Sequence, residues 1–303
     1  MTKIFGRKVE VIFRPSEGGQ DGIIPDGDRL NIGFTVERNL DIEASTASIT
    51  IFNLSRTTQD KLAEMGRPIP EKPGDPRLPP WTVELYAGYY SGPPNPEPGT
   101  SVPMIFKGDV RRVQHRREPP TIATDIEADD GGEAATKFVT KHFPKGTTVG
   151  TVFKWLQEQS GLGAGNVTRI TQINKPEGIP NRIENGMTIR GYAVEELNDL
   201  ARSRGAVVSS QGNDLIVLEP GEALPGVPLT KISPSTGLVG YPYKDKDGIV
   251  VLNHKLLPNV FPGAPLQIDS QFVEETIVVE RAVYSGSLFG DDFNIEVEGR
   301  TQI

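Results

Sequence analysis

Apolar residues alternate with polar or small ones along many short stretches of this chain. Leu30, Ile32, Phe34 and Val36 hold every second position of one stretch, and Ala47, Ile49 and Ile51 hold every second position of another. A period of two marks a strand with one buried face. On that basis Val9–Phe13, Leu30–Val36, Ser45–Leu54, Trp81–Tyr90, Met104–Val113 and Thr121–Ala128 are predicted strands, with turn signals at Asp21-Gly22 and Pro25-Asp26-Gly27. One helix interrupts them over Arg56–Met65, with Ser55 as N-cap and Gly66 as the residue that ends it. Gly66–Pro80 carries six prolines in fifteen residues and reads as an extended loop, as does Gly92–Pro103. Six strands and one short helix predict a closed or nearly closed antiparallel barrel with the proline loops at its rim. Ile49, Ile51, Val83, Leu85, Ile105 and Val110 are its expected core.

After residue 130 the period changes. Thr147–Ser160 places Val149, Val152, Phe153 and Leu156 on one helical face and ends at Gly161. Tyr192–Ser203 does the same with Val194, Leu197, Leu200 and Ala201, and Gly205 stops it. A hairpin of Ala206–Ser210 and Leu215–Leu218 follows. Beyond the Pro-Gly-rich link Pro220–Pro234, strands return at Gly248–Leu252, Leu266–Ser270, Thr276–Val283 and Phe293–Val297. The fold class is mainly β with an α+β insert: residues 1–130 form a first β domain, 131–230 an α+β middle domain and 231–303 a second β domain. No exact internal repeat is visible in the residues.

Composition narrows the chemistry. The 303 residues have a net charge of −8, with −4 in each β region and none in the middle, which argues against a general nucleic-acid coat or a polybasic membrane binder. There is no Cys, so disulfides, thiolate metal sites and cysteine nucleophiles are excluded. No apolar run approaches the roughly 20 residues of a membrane span, and the charged first ten residues predict no signal peptide and synthesis in a cytoplasm. The three histidines, His115, His142 and His254, lack metal-ligand spacing, no G-x-S-x-G elbow occurs, and Gly161–Gly165 follows a helix end, where its amides point the wrong way for a phosphate loop. That glycine run reads as a helix stop and a flexible loop. No metal, cofactor or catalytic residue is expected. Adjacent acids at Asp129-Asp130, Glu195-Glu196, Glu274-Glu275 and Asp291-Asp292 point to opposite faces in a strand and read as solvated surface. Arg111, Arg112, Arg116 and Arg117 form one basic patch around His115, which could contact phosphates but in an acidic chain more often pairs with carboxylates across an interface.

Several stretches, in order, carry a family resemblance. Ile49-Thr50-Ile51-Phe52-Asn53-Leu54-Ser55 before a short helix, Val83–Tyr89 and Ile105–Val110 resemble the opening domain of phage baseplate hub proteins. Asp129-Asp130-Gly131-Gly132, Gly146–Val149 and Tyr192–Gly205 resemble the family's central segment, and Ile232–Pro242 with Leu256–Gly263 resemble the turn into its second barrel domain. Tyr284–Asp292 departs from the His-Gly-Asp-type turn that relatives often carry there. The resemblance implies a homotrimer in which two tube-like barrels per chain make a ring of six. Such a ring joins a six-fold tail tube, through a tube or tube-initiator protein, to a three-fold central spike in a virion baseplate assembled in the host cytoplasm. Other baseplate proteins would be partners, the tail would be contractile, and genomic DNA would only pass through an acidic channel. Two other classes compete with this reading. One is a tail-tip peptidoglycan hydrolase using paired carboxylates; the other is a carbohydrate-binding β protein with Trp81, Tyr89 and Tyr90 as its platform.

Overall fold

The computed structural model describes residues 6–15, 22–25, 29–42, 44–65, 81–90, 99, 101–130, 137–173, 181–212 and 214–302. The first region holds β1 (Arg7–Pro15), β2 (Ile32–Asn39), β3 (Thr46–Phe52), helix α1 (Arg56–Met65), β4 (Trp81–Tyr89), β5 (Met104–Glu118) and β6 (Thr121–Asp129). Apart from Ile122 of β6, which is exposed, the strands bury the apolar positions that alternate along them, and the six expected core residues are all buried. The Ser55 hydroxyl accepts the Thr58 amide at 3.2 Å, satisfying one of the free donors of the first turn of α1. The predicted stop at Gly66, the loop Gly66–Pro80 and most of Gly92–Pro103 lie outside the described residues. β5 runs five residues past the predicted Val113; those residues, Gln114 to Glu118, are all polar, so no apolar alternation marks them as strand.

The middle region holds β7 (Phe138–Phe143), α2 (Val149–Ser160), β8 (Met187–Tyr192), α3 (Ala193–Arg202), β9 (Val207–Gln211) and β10 (Asp214–Leu218). Thr148 caps α2, and Gly161 ends it at φ 80°. Val152, Phe153, Leu156, Ile189, Leu197 and Val217 belong to a core cluster separate from that of the large sheet. The Gly161–Gly165 run is not a free loop beyond the helix stop. The Leu215 amide donates to the Gly163 carbonyl at 3.1 Å, tying the run to β10. Bonds from Ser209 to the Asn39 carbonyl and from Gln211 to the Pro262 carbonyl fasten this region to the sheet.

The last region holds β11 (Thr230–Ile232), β12 (Leu238–Lys244), β13 (Ile249–Lys255), β14 (Pro265–Asp269), β15 (Glu274–Ser287) and β16 (Phe293–Thr301). With β1 to β6 these strands make one 12-stranded sheet in the order β1-β4-β5-β6-β3-β2-β15-β16-β13-β12, with β11 on β14 and β14 on β15. All its pairs are antiparallel except β11 with β14. Among the described residues no pair closes this path.

Within the sheet one motif occurs twice. β2 and β3 form a hairpin, β4 follows, and β5 and β6 form a second hairpin that returns β6 beside β3. β12 to β16 repeat that layout, with β14 in the place of β4 and β16 beside β13. The register repeats as well. Ala47, Ile49 and Ile51 lie opposite Ala128, Ile126 and Thr124, as Val250, Leu252 and His254 lie opposite Gly299, Val297 and Ile295, and every one of these residues is buried. Each unit has a bulge at the matching place in its long strand: the pairing slips between Val110 and Arg112 in β5 and between Val279 and Arg281 in β15. The extra residues are Arg111 and Glu280.

Candidate assembly interface

The two units meet where β15 changes partners. Up to Val278 it pairs with β14; beyond the bulge, from Arg281 to Ser287, the same edge pairs with β2, from Asn39 to Gly33. The Leu40 amide donates to the Glu280 carbonyl at 2.6 Å, so the bulge itself holds the end of β2. Across this junction Arg281 reaches Glu37 at 2.8 Å, Glu298 at 2.7 Å and Glu296 at 3.6 Å. The Glu37 hydrogen bond, opposed by burial and aided by Glu298, raises the guanidinium pKa above its ordinary value.

All four predicted arginines lie on the far half of β5, the counterpart of the half of β15 that receives β2. Arg111, in the bulge, grips Asp129 with two bonds of 2.6 and 2.9 Å. Arg116 donates to Asp125 at 2.7 Å, and Arg112 lies 3.7 Å from Glu127. Arg117 lies opposite Ile122. Most of the carboxylates they meet within the chain are those of their hairpin partner β6; Arg111 also lies 3.8 Å from Asp109 of β5. Arg116 and, more weakly, Thr50 hold the Asp125 carboxyl below its ordinary range against the opposing effect of burial. His115 stands between the Thr124 hydroxyl at 3.0 Å and the Gln59 carbonyl of α1 at 3.1 Å, the position that Tyr284 fills in the second unit.

Beyond Val110, β5 has β6 on one edge, and among the described residues no strand pairs with the other. β12, at the end of the sheet, has β13 alone. Tyr241, Tyr243 and Val239 of β12 are exposed, and Tyr241 packs edge-on against exposed Phe272 at 4.9 Å. No sequence signal pointed to β12, because Gly240 and Pro242 break its alternation.

The remaining candidates are distributed otherwise. His142 is bonded to Thr188 at an exposed site, while His254 is buried with the Lys255 carbonyl at 2.6 Å. Among the described residues no three His, Asp or Glu side chains group as metal ligands. Of the adjacent acids, Asp129 is held by Arg111, Asp130 by the Gly212 amide and Glu275 by Lys244 and Thr301. Trp81 and Tyr89 pack on the main core, and Tyr89 meets Phe293 edge-on at 5.3 Å. A largely apolar cleft between the units is lined by Gly88, Tyr89, His254, Leu256 and Pro258.

The family described as Baseplate hub gp41 matches residues 11–274. No curated protein matches the sequence. The 43 kDa tail protein of prophage MuSo2 from Shewanella oneidensis has a similar fold, with a TM-score of 0.58 at 10% identity over 97% of this chain and 99% of that one. A tail protein from Neisseria meningitidis gives 0.56 at 13% identity over 97% and 96%. A chain of the Francisella PdpA-VgrG complex gives 0.53 at 8% identity over 97% of this chain and 58% of its own.

Proposed function

The chain belongs to the baseplate hub gp41 family, a structural component of the phage tail baseplate, and from that membership we propose that three copies form the adaptor between tail tube and central spike. Residues 1–130 and 231–303 carry the two tube-like β units, and 131–230 form the α+β domain beside them. The observation that carries this reading is the repeated five-strand unit with its matching register and bulges. A six-fold tube and a three-fold spike can share an axis only if each of three chains offers two near-equivalent surfaces, and a duplicated unit supplies them. Three chains then place six units around a channel, closing a barrel that one chain leaves open. The net charge of −4 in each β region suits a wall that DNA passes without sticking. Arg111, Arg112, Arg116 and Arg117 belong to a subunit contact.

The role is one of shape and binding, without catalysis. Sedimentation of the purified chain tests the assembly: a species near three times 33.0 kDa that joins tube protein on one face and spike protein on the other is expected. A monomer at every concentration, joining neither, would overturn the proposal. Clearing of purified peptidoglycan that disappears on a single Asp or Glu substitution would overturn the non-enzymatic part.

A further inference from the structure

The junction between the two units has two halves, and the chain holds a second copy of each half that it does not itself use. Inside the chain, β2 of the first unit docks on β15 beyond the Glu280 bulge. β12 is the second unit's counterpart of β2, and the far half of β5 is the first unit's counterpart of β15. Among the described residues both present an unpaired strand edge. Exposed edges are sites for pairing with another chain.

We propose that β12 of one copy pairs antiparallel with Arg112–Glu118 of β5 in the next copy, repeating between chains the junction made by β2 and β15. This inference rests on the assembly reading above and names the edges that would close it. The shared register sets the pairing. Val36 and Thr35 lie opposite Tyr284 and Ser285, so Lys244 and Tyr243 should lie opposite His115 and Arg116 of the neighbour.

Charge supports the same alignment. Within the chain Arg281 bridges Glu37 on β2 and Glu298 on β16. The counterpart of Glu298 is Glu127, that of Arg281 is Arg112, and that of Glu37 is Asp245, whose amide donates to the Ile249 carbonyl at 2.8 Å. The acid-base-acid order is therefore kept, with the first acid on the other open edge. Arg112 donates to Gln114 Oε1 at 2.7 Å, meets the Glu127 carboxylate at the longer 3.7 Å, and is 59% exposed at its side chain, against 34% for Arg281. The Asp245 Oδ1 accepts the amides of Asp247 and Ile249, which leaves Oδ2 for a cation. Pro242, which lacks an N–H, restricts the edge of β12 to its Tyr243 end and disfavours casual strand partners. The contact is head-to-tail, so it closes into a ring if the rotation between copies permits and otherwise extends as a filament.

The absence of Cys makes a direct test available. A chain carrying Tyr243→Cys and Arg116→Cys should form covalent dimers and trimers on mild oxidation, and either single variant alone should not. A sedimenting trimer that gives no such cross-link overturns this pairing and leaves the trimer standing; a monomer overturns both. Charge reversal provides a second measurement. Arg112→Glu or Asp245→Arg alone should weaken association about tenfold, and the two together should restore most of it. Losses that simply add, with no rescue, would also overturn the pairing.

Discussion

Arg281 Nε lies 2.8 Å from Glu37 Oε1, a contact that spans 244 positions of the chain and fastens the second β unit to the first. Removing the guanidinium leaves Glu37, Glu296 and Glu298 crowded without a cation. Arg281→Met should therefore cost about 1–2 kcal/mol, read as a lower urea midpoint at unchanged slope, and the loss should shrink in high salt because the site is partly exposed. Arg281→Lys should recover only part of it, since an ammonium cannot fork between carboxylates. An unchanged midpoint for Arg281→Met would remove this pair from the account of how the units are joined.

His254 occupies the place that Ile51 holds in the first unit. Burial lowers its pKa below the ordinary 6.5, with the Lys255 carbonyl pulling the other way. The unfolded chain thus binds a proton at a higher pH than the folded one does. Stability is intact above about pH 6.5 and declines as pH falls below it toward the folded-state value. His254→Ile should flatten that decline in melting temperature; equally steep profiles for both proteins would contradict it.

At the bulges the strands approach closely, and glycine sits on one strand in each unit. A Cβ on Gly108 would strike the Asp129 carbonyl, and one on Gly299 would come within 2.6 Å of the Val278 carbonyl oxygen. Gly299→Ala should destabilise by about 2 kcal/mol. Gly33→Ala, where the nearest atom is 3.9 Å away, should stay within about 0.5 kcal/mol of the parent in the same chemical denaturation.

Asp125 gives an acid-range prediction. Its folded pKa lies below the ordinary 3.8, chiefly through the Arg116 hydrogen bond. The stability it contributes is present above the ordinary value and is lost as pH falls through the folded one. Arg116→Gln should raise the Asp125 titration midpoint, followed by carboxyl-carbon NMR, and move acid unfolding to higher pH. A midpoint that does not move would show that Arg116 is not the group holding it down.

Strands with one buried face were legible in the residues. Ile49 and Ile51, Val83 and Leu85, and Phe293 to Val297 declare themselves by alternation, and α2 by its stripe and Gly161. β12 and the end of β5 were hidden because nothing apolar alternates where Tyr241, Pro242 and Arg116 stand. The duplication was hidden too. It lies in which strand pairs with which, and a buried His254 opposite Ile295 looks nothing like Ile51 opposite Thr124 until both registers are known. The arginine cluster was visible, but its carboxylate partners on β6 become neighbours only once the hairpin forms.

The change of partners along β15 also bears on how the molecule comes apart. One continuous strand completes both units, so melting either strips an edge from the other, and no state with one half intact and the other loose is cheap to reach. Heating should give a single sheet transition in which the calorimetric and van't Hoff enthalpies agree. The helical region, with its own core, is the part free to melt separately.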